Sequence, residues 1–109
     1  MKIMSSDFSK IEMHVGTIVQ ALVFEEAKKP AYKLVIDFGE LGLRKSSAQI
    51  TKLYKPAELI GKQVIAVLNF PPKQIAKFIS ECLVLGAVND NEVTLLTPDK
   101  PTPNGTRIA

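Results

Sequence analysis

Hydrophobic and polar residues alternate over short stretches of this chain, and a repeat of two points to strands. In residues 31–39, Tyr32, Leu34, Ile36 and Phe38 fall on one face, and Lys33, Val35 and Asp37 on the other. Before it, HVGTIVQALVF (14–24) is rich in β-branched residues, and Gly16 marks the place for a bulge or bend of the kind a barrel strand needs. The spacer GELG turns the chain into a third strand within KSSAQITKLY (45–54), which sets Ser46, Ala48 and Ile50 against Lys45, Ser47 and Gln49. This strand carries unusually little bulk.

A short helix is expected next. In YKPAELIGK (54–62), Pro56 suits a first helical turn and Gly61 a C-terminal stop. QVIAVLNF (63–70) reads as a fourth strand, PPKQIAKFIS (71–80) as a loop, and ECLVLGAV (81–88) as a fifth strand. A turn at residues 89–91 leads to a sixth, EVTLLT, and the proline-rich tail with its Asn104-Gly105 turn ends the chain without a helix. Short strands in series, with one short helix between the third and fourth, predict an all-β, five-stranded Greek-key barrel of the OB type. Another small barrel or sandwich is the rival, which the helix position disfavours.

One domain covering residues 1–109 fits this length, with a single core. No apolar run approaches the roughly 18 residues of a membrane span, so no membrane insertion is expected. MKIMSSDFSK lacks the apolar centre of a secretory signal, which makes the cytoplasm the expected location. Cys82, the one cysteine, sits in an apolar string and reads as a small buried hydrophobe.

Charge changes the picture more. The net charge is +3, yet residues 41–80 hold seven cations against Glu58 alone; that segment carries +6 and the remainder −3. One basic face would favour an anionic partner or steer acidic peptides, while a solvated lysine surface is the plain alternative. Catalytic chemistry finds little support. His14 is the single histidine, Glu12 and His14 share a strand face without a third metal ligand, and no elbow surrounds Ser46 or Ser47. The expectation is a protein that is not an enzyme and uses no metal or cofactor.

In an OB barrel the binding surface is the face of the second and third strands together with the loops joining strands one to two and four to five. Here those are FEEAKKP, KSSAQITK and NFPPKQIAKFIS. Small side chains on the third strand would leave a shallow groove, with Ser47 and Gln49 as hydrogen-bonding groups and Lys45 and Lys52 at its ends. A polar, lysine-flanked edge strand that blocks aggregation is the competing reading. Pro71 and Pro72 stiffen the following loop, Phe70 leaves the fourth strand on a defined path, and Lys73 and Lys77 follow at helical i, i+4 spacing.

The strings SSAQITKLYKPAELIGKQVIAVLNFPPKQIA and SECLVLGAV and the ending PNGTRI closely resemble the CsaA family of export-related chaperones. That family lies within the wider tRNA-binding domains of the EMAP II and methionyl-tRNA synthetase C-terminal type. The resemblance implies an OB-fold homodimer that binds unfolded or presecretory peptides, with tRNA binding as the alternative. Asn69, Ser80, Ser47 and Ile50 match the wider pattern, whereas the loop from Asn69 to Gln74 is less basic than that pattern and Lys77 stands where glycine is expected. The implied peptide groove comprises Lys45, Ser47, Gln49, Phe70, Pro71 and Lys73. For tRNA, Lys45, Lys52, Lys73 and Lys77 would meet phosphates while Ser47, Asn69 and Ser80 position the backbone. Ile3, Met4, Phe8, Ile11 and the tail are surplus to a minimal barrel, and the resemblance assigns such segments to a subunit interface.

Overall fold

The longest strand does two jobs. In the computed structural model, which describes residues 1–109, β1 (Met13–Val23) pairs through its first half with β4 (Gln63–Val67) and through its second half with β2 (Tyr32–Asp37), both antiparallel. Between Ile18 and Gln20 the register with β2 shifts, and the extra residue lets the strand bend from one partner to the other. β3 (Leu43–Ala48) follows β2 through a 3-10 turn at Gly39–Leu41, giving a sheet ordered β3-β2-β1-β4-β7, with β7 at Leu83–Val84. The fold is an all-β OB-type Greek-key barrel.

Its core is the inward row of each strand. Ile18 of β1, Leu34, Ile36 and Phe38 at β2, and Val64 and Ala66 of β4 are fully buried. The short helix between the third and fourth strands, α2 (Pro56–Leu59), follows α1 (Ser5–Ser9) in chain order and buries Leu59 in the same core. Pro56 opens α2, Glu58 accepts the Lys55 N–H at 2.8 Å, and Gly61 stops it in the left-handed region at φ 86°.

The row Ser46, Ala48, Ile50 faces inward as its alternation predicts, and Ser46 is wholly buried. Its hydroxyl donates to the Cys82 carbonyl oxygen at 3.0 Å, so a polar core residue is satisfied across the barrel seam. Glu81 completes that seam: its N–H donates to the Lys45 carbonyl oxygen at 2.7 Å, and its carboxylate accepts the Lys45 N–H at 2.9 Å. The Ser80 hydroxyl accepts the Ser47 N–H at 3.1 Å. The barrel closes here through side chains as much as through backbone.

Several expectations are corrected. The bend of β1 falls after Ile18, not at Gly16; Gly16 is needed because a Cβ there would lie 2.6 Å from the Phe38 ring. The third strand spans Leu43–Ala48, and residues 49–54 leave the sheet. Residues 71–80 are not a plain loop and the i, i+4 lysine spacing is not helical: Lys73–Ile75 (β5) and Phe78–Ser80 (β6) pair as a hairpin, with Lys73 opposite Ser80 and Lys77 in the turn. The positive φ of that turn, 54°, falls on Ala76 rather than at position 77. The fifth strand divides into β7 and β8 (Gly86–Asn89), and β8 pairs only with β9 (Glu92–Leu95). An N-terminal helix, opened by an Asp7 carboxylate that accepts the Met4 N–H, was not expected from the pattern.

The tail lies along the half of β1 that β2 leaves uncovered. Thr106 accepts the Val15 N–H at 2.9 Å, Gly105 donates to the Val15 carbonyl oxygen at 2.7 Å, and Ile108 donates to that of Met13 at 2.8 Å.

Two substitutions test this packing by urea denaturation. Gly16→Ala forces a methyl group against Phe38 and Ile36 and lowers stability by about 1–3 kcal/mol. Ala76→Gly relieves a left-handed backbone at a hairpin turn and raises it by about 0.5–1 kcal/mol.

Candidate functional site

A groove of about 1030 Å³ opens beside the barrel seam. The end of β3 and the residues after it contribute Ser47, Gln49 and Lys52; the chain leaving β4 contributes Phe70 and Pro71; the β5–β6 hairpin contributes Lys73, Ile75 and Ser80. Leu83 and Val84 of β7 and Val88 and Val93 of the β8–β9 hairpin line it as well. Two hairpins therefore flank one trough. Phe70 is 49% exposed and Val88 72% exposed, which is unusual for such apolar side chains.

The polar ribbon of β3 and the proline-stiffened bend after β4 thus share one open surface, and the tail lies elsewhere, along β1. Not every expected residue meets there. Lys45, Asn69 and Lys77 are outside the groove lining. Asn69 is a clasp: its carbonyl oxygen accepts the Glu12 N–H at 2.9 Å and its amide donates to the Lys10 carbonyl oxygen at 2.8 Å, tying the N-terminal segment to the end of β4. Ser80 already spends its hydroxyl on the seam.

Lys45 belongs to a different arrangement. Its ammonium lies 5.5 Å from the centre of the Phe78 ring, Phe78 meets Phe24 edge to face at 5.4 Å, and the Lys33 ammonium lies 5.5 Å from the Phe24 ring. This array fastens the β5–β6 hairpin to the end of β1 and leaves both lysines on the outer side of β2 and β3. Phe78 is half-buried and serves this anchorage.

The groove's charge is mixed: Lys29, Lys52 and Lys73 stand against Glu81 and Asp90. The other cations of residues 41–80 lie away from it, with Lys62 over the Tyr54 ring at 5.9 Å. Lys29 and Ile75 fall in the two loops expected to flank the surface, whereas Val88 and Val93 went unnoticed in the sequence because their segments read as core strands. The apolar run of residues 82–88 and the apolar Val93, Leu95 and Leu96 were the available signal. Such strings bury two faces or leave one apolar face in the open.

Cys82 is buried at the groove floor, and burial pushes its thiol from 9.0 up to about 11, despite a hydrogen bond with Ser46 and the nearby Arg44 charge.

A small Greek-key barrel of this topology is an OB fold, a class whose members bind ligands on the face of the second and third strands and the adjoining loops. The model of the tRNA binding domain family matches residues 13–107, and the chain belongs to that family. It is similar over 99% of its length, and over 100% of the other chain, to a CsaA chaperone from Picrophilus torridus, at 59% identity and a TM-score of 0.93. The chaperone CsaA of Bacillus anthracis matches over 100% of both chains at 51% identity and a TM-score of 0.96. A methionine–tRNA ligase of Methanococcoides burtonii is 39% identical over 94% of this chain, which spans 15% of that enzyme's length.

The thiol gives a direct check on the seam. Native protein should resist alkylation at about pH 8 and react once denatured. Because the folded state holds the proton up to about 11 while an unfolded thiol releases it near 9.0, stability should fall between those values as pH rises, followed by denaturation midpoints.

Proposed function

We propose that this protein is a non-catalytic, CsaA-like chaperone that holds extended segments of unfolded or presecretory polypeptides in the groove between the two hairpins. The observation that carries the reading is the apolar lining, exposed at Phe70 and Val88, combined with only three lysines against two carboxylates. A polyanion would want a more one-sided field. An unfolded chain wants apolar contacts and nearby strand edges, and β5, paired on one side by β6, offers such an edge beside Lys73 and Ile75. Ser47, Gln49 and Lys52 meet the backbone and the acidic side chains of the client, with Phe70 and Pro71 as apolar anchors. Similarity to two CsaA chaperones supports the same reading.

The second reading is tRNA binding. Family membership and the outward Lys33 and Lys45, with Lys77 in the hairpin turn, favour it. Because the chain spans 15% of the ligase it resembles, that enzyme's aminoacylation is not part of the proposal.

We place the protein in the cytoplasm as a homodimer. Ile3, Met4 and Phe8 are exposed, as a contact surface between copies requires, while Ile11 is half-buried. Light scattering at micromolar concentration should give about twice the 12.0 kDa chain mass; a stable monomer would defeat this assignment.

Salt separates the two ligands. Anisotropy of a labelled signal-like peptide should change little between about 50 and 300 mM salt, whereas log affinity for tRNA resting on about four lysines should fall with a slope of roughly −3 to −4. Steep tRNA binding without measurable peptide binding would remove the chaperone reading. Phe70→Ser should weaken the peptide about tenfold and leave tRNA unchanged.

A further inference from the structure

Of the four asparagines, only Asn104 is followed by glycine. With no side chain on the next residue, the backbone nitrogen of an unfolded Asn-Gly pair readily reaches the asparagine side-chain carbon. The fold nevertheless requires this pair. Gly105 stands at φ 92°, and a Cβ there would lie 2.7 Å from the Phe38 carbonyl oxygen. Asn104 ties the turn down: its side-chain oxygen accepts the Thr17 hydroxyl at 2.7 Å and the Gln63 amide at 3.2 Å. On the facing segment, a Cβ at Gly39 would lie 2.6 Å from the Asn104 backbone carbonyl oxygen. The turn is seated without slack.

The same seating withholds a reaction. The Gly105 N–H donates to the Val15 carbonyl oxygen at 2.7 Å, so its proton is held by β1 and its nitrogen is fixed in place. Gln63 secures the approach as well, donating to the Thr102 carbonyl oxygen at 2.7 Å and accepting the Thr102 N–H at 3.1 Å. We propose that Asn104 is a deamidation site, closed while the tail is docked on β1 and opened when the tail lifts, whose isoaspartyl product cannot dock again.

In the reaction the Gly105 nitrogen loses its proton and bonds to Cγ of Asn104, and the bond from Cγ to the side-chain nitrogen breaks, releasing ammonia. Water then opens the succinimide ring. Cleavage between Cγ and the Gly105 nitrogen gives aspartate with the original backbone, whereas cleavage at the backbone carbonyl gives isoaspartate, whose main chain runs through Cβ and Cγ. No co-reactant besides water is needed. The aspartyl form keeps oxygens for Thr17 and Gln63. The isoaspartyl form inserts an extra backbone atom between two close approaches, to Gly39 and to Phe38, and the pairing with Val15 cannot be kept alongside both. Release of the tail strands the Val15 N–H and carbonyl on the half of β1 that β2 leaves uncovered, an edge open to association. The site lies apart from the groove and does not depend on which client fills it.

Peptide mapping of the full chain, incubated at mildly alkaline pH with and without guanidinium chloride, measures the closure. Deamidation at Asn104 should be at least about tenfold slower in the native protein, because the open fraction of the tail sets the rate. Gln63→Ala removes its hydrogen bonds to Thr102 and Asn104 and should speed the native reaction about three- to tenfold; Thr17→Val should act in the same direction. Hydrogen exchange in β2 verifies that each variant is folded. Equal rates in native and denatured protein, or folded variants no faster than the parent, would overturn the proposal. Material deamidated in denaturant, refolded and separated into its two products reads the second half. Hydrogen-exchange protection of Val15 and residues 105–108 should be lost in the isoaspartyl form and kept in the aspartyl form. Protection kept in both, or lost in both, would refute backbone lengthening as the cause of release.

Discussion

The seam between β3 and residues 80–82 is the constraint on which the barrel depends. A five-stranded sheet ordered β3-β2-β1-β4-β7 leaves β3 at one edge, and an open edge with buried neighbours would strand backbone donors and acceptors. Glu81 and Ser80 answer for it by presenting side-chain oxygens to the N–H groups of Lys45 and Ser47, while Ser46 reaches inward to Cys82. Small residues on β3 make this possible. A larger side chain in place of buried Ser46 would hold residues 80–82 away, and the β5–β6 hairpin would lose its seat.

That hairpin divides two kinds of surface. On one side, Phe78 locks against Phe24 beneath Lys33 and Lys45, an aromatic and cationic arrangement. On the other, Ile75 and Lys73 turn toward Phe70, Leu83 and Val93, an apolar trough with few charges. Hydrophobic contact rewards area with little dependence on salt, whereas lysine–phosphate contact is strongly screened. A fold with both surfaces side by side could lend itself to peptide or RNA according to which is elaborated, consistent with one family containing tRNA-binding domains and chaperone relatives.

Much of this was legible in the sequence for physical reasons. β2 alternates because one face is core and the other is not, and α2 is bracketed by a proline and a glycine whose backbone preferences are local. The stretch around Ser47 and the bend at Phe70 were recognisable as one surface from OB topology. What escaped was set by distant contacts. Gly16 looks like a bulge, yet its smallness answers to Phe38, twenty-two positions away by number. The β5–β6 hairpin hid because Lys73 and Lys77 mimic helical spacing and Ala76 carries no turn signature. Asn69 reads as a ligand-binding amide, but its partners are Glu12 and Lys10 at the far end of the chain.

The edge of β5 has a further implication. A strand with one side unpaired, next to exposed apolar residues, is a template on which any extended chain can grow, including another copy of this protein. Lys73 within it and Lys77 at its turn put like charges wherever two such edges would meet, so edge-to-edge stacking of copies is opposed by charge repulsion. The same two lysines thus act as gatekeepers against fibre formation.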